Sequence, residues 1–345
     1  MITALPLRRL SGAAMTGLLL AGIAQAAARS DEPREWLTRM NQALAMRNYD
    51  GTFFHLSQGQ VETLRIVHRV HAGRVTERLV SLDGSGREFV RTNEELTCYL
   101  PDQKTVLVEP RRDNNPFLGS LPQFNAEVDA FYRIESLPPG RIMGRPARVI
   151  SVTPKDQFRF GYKLWLDEQT AMPLKTQLCD PRGQVVEQIV FANLEMPESI
   201  PESAVLPAVK TDGMRWVRQG TPAENPAAAL AAFRASRLPP GFRLTVSGAQ
   251  TLGENGSPAT HLVYSDGLAT VSVFVEPGPT APAANAPGTG TAAAPMQGLA
   301  RVGAGYAFST VVQGHQVTAV GEVPAQTVEF IAHSVKPLDV SGPRH

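Results

Sequence analysis

Hydrophobic and polar positions divide the chain into a short helical opening followed by long stretches of period two. Over 32–47, Trp36, Leu37, Met40 and Leu44 share one helical face, with Arg34, Glu35 and Arg39 among the polar positions. Asp31 suits the N-cap and Pro33 an early helical position. From Asp50 the period changes. Between Val61 and Val70, one face carries Leu64, Ile66, His68 and Val70, and the other Thr63, Arg65, Val67 and Arg69, which predicts a strand with one wet side. Further strands are expected over 145–153, 160–167, 171–179 and 184–193, with a short helix over Gln123–Tyr132. Turn signals such as Asp83-Gly84, Pro101-Asp102 and Pro181-Arg182-Gly183 separate the apolar runs.

These patterns predict an α+β protein. Residues 30–200 form one large, mostly antiparallel sheet with helices, and a sheet of that length curls and can enclose an apolar groove. Residues 201–237 lose the alternation and carry several prolines, so they read as a connection, with an alanine-rich helix expected over Pro226–Arg237. A second domain over 238–340 has strands expected at 242–250, 260–265, 268–276, 306–313 and 315–323, and a closing helix over Pro324–Val335. The stretch 277–297, rich in Pro, Ala, Gly and Thr, is expected to be a mobile loop.

The N-terminus adds a compartment. Arg8 and Arg9 precede an uncharged run of about 14 residues, shorter than the ~20 a membrane span needs, and Ala24-Gln25-Ala26 follows in a small-x-small pattern. Residues 1–26 therefore read as a cleavable secretory signal. No cysteine near the cleavage site offers a lipid attachment point. Loss of the signal removes two arginines and no acids, which takes the net charge from +1 to near −1. That balance excludes the clustered basic excess of a nucleic-acid binder. The even count of two cysteines, Cys98 and Cys179, permits a disulfide in an exported protein, but both sit in strand-like text and two buried thiols are favoured over a bridge.

Motifs for chemistry are sparse. His68-x-x-His71 has a spacing that sends the two rings to opposite faces of a strand, so a structural histidine is favoured over a metal pair. No G-x-S-x-G elbow is present, and Gly303-Ala304-Gly305 precedes a strand rather than a helix N-terminus. No catalytic, metal or cofactor residue is assigned, although a spatial triad can hide in a sequence. Binding remains, and Phe89, Tyr99, Phe117, Leu118 and Phe124 are the candidates to line an apolar groove, with ordinary core packing as the plainer alternative for each.

Several strings recur in an order that resembles the MucB/RseB family. They include Tyr49-Asp50-Gly51-Thr52-Phe53, Arg159-Phe160-Gly161-Tyr162-Lys163-Leu164-Trp165, Leu238-Pro239-Pro240-Gly241-Phe242, Tyr264-Ser265-Asp266-Gly267 and Val320-Gly321-Glu322-Val323-Pro324. The resemblance spans about 48–335. It implies a LolA/LolB-like half-barrel with a smaller C-terminal domain, and a periplasmic negative regulator of sigma-E signalling. Such a regulator binds the periplasmic part of a membrane-spanning anti-sigma factor, protects it from proteolysis and responds to lipid or lipopolysaccharide. It implies no cofactor, and it leaves a homo-oligomer open. A lipid or lipoprotein carrier, suggested by the first domain alone, and a hydrolase are the competing readings.

Overall fold

The computed structural model describes residues 33–84, 86–110, 118, 126–218, 233–252, 257–277 and 297–338. The secretory segment, Phe117, Phe124, residues 226–232 of the expected alanine-rich helix and nearly all of the loop 277–297 lie outside the described residues.

Helix α1 runs over 33–46. Eleven strands follow: β1 (Tyr49–Ser57), β2 (Gln60–His71), β3 (Arg74–Ser81), β4 (Glu88–Arg91), β5 (Glu95–Leu100), β6 (Thr105–Pro110), β7 (Tyr132–Ile142), β8 (Arg145–Pro154), β9 (Gly161–Asp167), β10 (Pro173–Cys179) and β11 (Val185–Glu195). With β12 (Arg215–Arg218) they form one twelve-stranded sheet in the order β12-β6-β5-β4-β3-β2-β1-β11-β10-β9-β8-β7. Two-residue turns drive many of these hairpins. Gln58-Gly59, Ala72-Gly73 and Met143-Gly144 all hold positive φ at both positions, the geometry that matches the twist of the flanking strands. At the β7 edge, Pro138 and Pro139 interrupt the strand with a register shift between Leu137 and Gly140, which blunts it against further pairing.

The large sheet curls around α1. Trp36, Leu37, Met40, Ala43 and Leu44 of the helix pack with Phe53, Ile66, Ile150, Leu164, Leu166 and Phe191 of the strands. The helical stripe expected from the sequence is thus the stopper of the concave face. On the opposite face, the segment after β11 lies across the sheet. Val67, placed by alternation on a wet face, is buried under Ile200 and Val205, and Tyr99, Val106 and Val108 are buried with Val209 and Met214 packed against them.

The second sheet has the order β14-β15-β16-β19-β18-β17. Its strands are β14 (Arg243–Leu252), β15 (Ser257–Ser265), β16 (Thr270–Pro277), β17 (Gly298–Val302), β18 (Gly305–Val312) and β19 (His315–Gly321), with β13 (Phe233–Ala235) preceding them. Helix α2 (Ala325–Ser334) and β20 (Val335–Pro337) close the chain, and β20 pairs with β13. Val328, Ile331 and Ala332 of α2 cover Leu262, Val271, Val273, Val317 and Ala319, the apolar face expected for 268–276.

Three expectations change. Phe233–Ala235 is a strand, not the end of a helix, because its backbone pairs with β20. The stretch 201–237 supplies β12, which pairs in parallel with β6 and extends the first sheet. The helix expected over Gln123–Tyr132 is a 3-10 segment over Ala126–Ala130, and Tyr132 already begins β7. As favoured from the sequence, Cys98 and Cys179 are free thiols, Cys98 buried and Cys179 half-buried, on β5 and β10, strands separated by five others in the sheet, and burial pushes both thiols up, Cys98 to about 11.

His68 is structural. Its ring is buried, stacks on Tyr49 with centroids 4.5 Å apart, and places Nδ1 2.8 Å from the carbonyl oxygen of Arg47. Burial lowers its pKa to about 4. The folded state therefore holds fewer protons on this ring than the unfolded chain does. Its contribution is full above about 6.5 and declines as pH falls toward about 4. A His68→Gln variant is expected to lose less stability between neutral and mildly acid pH than the parent. Urea denaturation at the two pH values checks this, and equal acid sensitivity in both proteins would refute the assignment.

Candidate functional site

Two features stand out from the packing: an apolar pocket on the concave side of β9–β11, and the joint that fixes the second domain beside it. Leu118, Tyr162, Leu178, Ile189 and Phe191 give the pocket an apolar wall, and Glu187 and Glu322 bring carboxylates to it. Glu187 belongs to β11 of the large sheet, whereas Glu322 follows β19 of the second domain. The pocket thus straddles the two. Burial, followed by the charges of Glu322 and Glu187, raises the pKa of Tyr162, so its phenol is neutral throughout the physiological range.

Of the groove candidates among the described residues, Phe89, Tyr99 and Leu118, only Leu118 lines this pocket. Phe89 lies on β4 opposite Leu79 and Cys98, on the concave face but several strands away. Tyr99 pairs with Glu88, one position out of step with Phe89, so it points to the other face of the sheet and packs near Val209 and Met214. The structure therefore separates Phe89 from Tyr99 rather than bringing them together. Glu187 and Ile189 were overlooked because they are a polar and an apolar residue on one face of β11. A single carboxylate, Glu187, on the otherwise apolar face of Val185, Ile189 and Phe191 was the available signal.

The joint is built from the β8–β9 connection. Asp156, Gln157, Phe158, Arg159 and Phe160 each engage a neighbour there. The Gln157 and Phe158 carbonyls accept from the side chains of Gln326 (2.5 Å) and Thr327 (2.7 Å) at the start of α2. The Phe158 ring meets Phe330 edge-on at 5.6 Å, and Phe160 packs with Leu178 and Ala304.

Arg159 is the centre. Its guanidinium donates to Asp266 Oδ2 at 2.6 Å, to the Pro240 carbonyl at 2.5 Å and to Asp156 Oδ1 at 3.0 Å. The side chains of Arg159 and Asp266 have no exposed surface. Tyr132 at the start of β7 donates its hydroxyl to the same Asp266 Oδ2 at 3.0 Å. The other oxygen, Oδ1, accepts from the backbone of Leu268 and Ala269, at 2.8 and 2.7 Å, and fixes the β15–β16 turn. Phe131, Phe242 and Tyr132 rings surround the guanidinium at 4.9, 5.3 and 5.5 Å. Gly241 has φ +82°, and a Cβ there would run into the Phe131 ring, so this close approach needs glycine.

An ion pair this buried is costly to desolvate and is tolerated because each guanidinium nitrogen and each carboxylate oxygen has a hydrogen-bond partner. Its two halves come from different domains. Both residues stand in strings that sequence reading took for turn and packing positions. Charged residues enclosed by aromatics, one in each domain, were the signal that could have picked them out.

Among the described residues no helix is long and apolar enough to cross a membrane. No group of three or more His, Cys, Asp or Glu side chains among them is arranged to hold a metal ion. The site offers binding surface and a rigid joint.

Comparison with known proteins matches both halves. The MucB/RseB N-terminal domain model matches residues 32–209, and the MucB/RseB C-terminal domain model matches residues 227–336. The chain is 33% identical to the sigma factor AlgU regulatory protein MucB of Pseudomonas aeruginosa, over 93% of this chain and 96% of that protein. It is 27% identical to the sigma-E factor regulatory protein RseB of Escherichia coli, over 87% of this chain and 89% of that protein. Its fold matches a chain in the complex structure of Pseudomonas aeruginosa MucA/MucB with a TM-score of 0.66 and 30% identity, covering 89% of this chain and 99% of that one. Matched in order over both sheets and the joint between them, the chain belongs to the MucB/RseB family.

Proposed function

We propose that this protein is a periplasmic negative regulator of sigma-E-type signalling, which binds the periplasmic segment of a membrane-spanning anti-sigma factor and shields it from proteolysis. The observation that carries this reading is the match of the whole two-domain body, including the joint, to a chain whose structure was solved as a MucA/MucB complex. Relatives named as regulators of sigma factors support it. The protein acts by occupancy rather than catalysis. A protease needs an extended substrate segment, and a partner that holds this segment lowers the population open to attack.

The apolar pocket supports a finer reading, in which the acyl chain of a misplaced envelope lipid enters beside Tyr162 and Phe191 and favours the partner-free form. A ligand shifts that equilibrium only by its differential affinity for the two forms, typically 1–3 kcal/mol of coupling. The test is a purified mixture of the anti-sigma periplasmic domain and its site-1 protease. Adding this protein is expected to slow cleavage severalfold, and lipid or lipopolysaccharide to restore it. Equal cleavage with and without the protein would overturn the regulator reading. Lipid extraction by the protein with no effect on cleavage would favour the alternative, a lipid or lipoprotein carrier.

A further inference from the structure

The joint has a second electrostatic element beside the Arg159–Asp266 pair. Across the pocket, Glu187 of the large sheet and Glu322 of the second domain line one apolar space. His55 on β1 lies on the Glu187 side, with Nε2 2.8 Å from Glu187 Oε1. Each element packed there contributes a titratable or charged group. The group on β9 is Tyr162, on β10 Lys175, on β11 Glu187, on β1 His55, and on β2 Glu62, which sits opposite His55. Glu62 is bonded to Arg87 at 2.5 Å, and Asp266, whose charge also reaches Tyr162, is bonded to Arg159. Lys175 leans over the Trp165 ring at 4.7 Å. No cation among the described residues is bonded to Glu322. One carboxylate on each side of a domain joint, in apolar surroundings, is a repulsive contact placed next to an attractive one.

We propose that Glu322, Glu187 and His55 form a proton-responsive clasp across the joint, slack near neutral pH and tightened in mild acid. The physical basis is that docking the domains brings the two carboxylates together. Burial pushes the Glu322 carboxyl up from its ordinary value, the Glu187 charge adds to this, and the His55 charge opposes it by a smaller amount. The bond to Glu187 raises His55, with Glu322 contributing through its charge. Glu322 therefore binds a proton more readily in the docked form than with the domains apart, whereas His55, whose bond to Glu187 lies within the large sheet, gains from docking only the Glu322 charge. By linkage, docking therefore strengthens as pH falls through the range from near neutral toward the ordinary carboxylate range, and weakens as pH rises through it. By surface area Glu322 is an exposed residue, so solvent screens its charge and limits the effect to a modest factor. The sense is opposite to that of His68, whose burial costs the first domain stability in acid. The clasp does not depend on which partner or lipid the protein binds, and it would make release of any partner that requires the joint to open harder in an acidified envelope.

Amide exchange of residues 156–162, corrected for the intrinsic pH dependence of exchange, reads the joint directly in the full mature chain. Between pH ~8 and ~5, the interval in which histidine titrates, protection there is expected to rise by at least about threefold, on the scale where one unit of pKa difference is tenfold. Glu322→Gln removes the charge but keeps the shape. It is expected to show near-acid protection already at the higher pH and to lose most of the pH response. Glu187→Gln, which relieves the same repulsion from the other side, is expected to move protection in the same direction and provides the test if the first variant folds poorly. Equal protection of the parent at both pH values, or a full parental pH response in both variants, would overturn the proposal.

Discussion

Asp266→Asn is expected to cost about 3–5 kcal/mol, the usual loss when one member of a buried, hydrogen-bonded ion pair is removed. The substitution is nearly isosteric, so packing changes little. Both carboxylate oxygens of Asp266 act as acceptors: Oδ2 for Arg159 and Tyr132, Oδ1 for the Leu268 and Ala269 amides. An amide must point its NH2 group at one of these donor sets. In both orientations the guanidinium loses its counter-charge, and in addition either it faces a donor or the β15–β16 turn loses a cap. Tyr132→Phe removes a single neutral donor to this charged oxygen and is expected to cost less, about 1.5–3 kcal/mol. Scanning calorimetry should show the parent unfolding with its two domains coupled, whereas Asp266→Asn should separate the transitions of the two sheets, because the lost attraction lies between them. A variant that melts in the parental manner, at the parental temperature, would show that the pair does not hold the joint.

This joint also marks how far the sequence could be read. The strands and helices were legible where one face is buried and the other wet. The run 268–276 alternates so regularly that Val271, Val273 and Val275 fall into the core as expected, and α1 follows from a single apolar stripe. The family strings pointed to the MucB/RseB family, whose N- and C-terminal domain models match the chain. Elements escaped where local pattern and tertiary role diverge. β7 begins with Tyr132 and contains Leu137-Pro138-Pro139-Gly140, text that reads as a turn, yet its place at the sheet edge leaves room for prolines. β12 is four residues held by pairing with β6 rather than by any period of its own. β17 is exposed along its whole length, so no burial pattern announces it. The site was the least legible part. Tyr99 and Phe89 are both aromatic and close in sequence, but their distance along two paired strands fixes opposite faces, a fact that depends on register and not on composition.

Register itself is the subject of the other large expected effect. Tyr49, His68, Glu77 and Arg91 are successive cross-strand partners on β1, β2, β3 and β4, forming one polar row on the concave side of the sheet. All four are buried, and the Arg91 guanidinium is bonded to the Glu77 carboxylate. The next row over is Gly51, Ile66, Leu79 and Phe89, without a polar side chain. A slip of one residue would carry the polar row to the opposite face and break its pairs, so the row disfavours alternative registers as well as contributing contacts. Arg91→Leu leaves the Glu77 carboxylate in this setting without the guanidinium, next to a His68 ring that burial keeps neutral. We expect a loss of about 3–5 kcal/mol near neutral pH. The orphaned carboxyl then resists ionisation, its folded-state pKa moves above the unfolded one, and the variant recovers part of its stability as pH falls. Replacing both members, Glu77→Leu with Arg91→Leu, removes the charge that has nowhere to go. Such paired replacements are often neutral or stabilising, so urea denaturation should find the double variant more stable than Arg91→Leu alone. If the double variant instead loses as much as the two single changes added together, the row works through something other than the balance of its charges. If it regains stability but its hairpins exchange more rapidly with solvent, the charges set register more than they set stability.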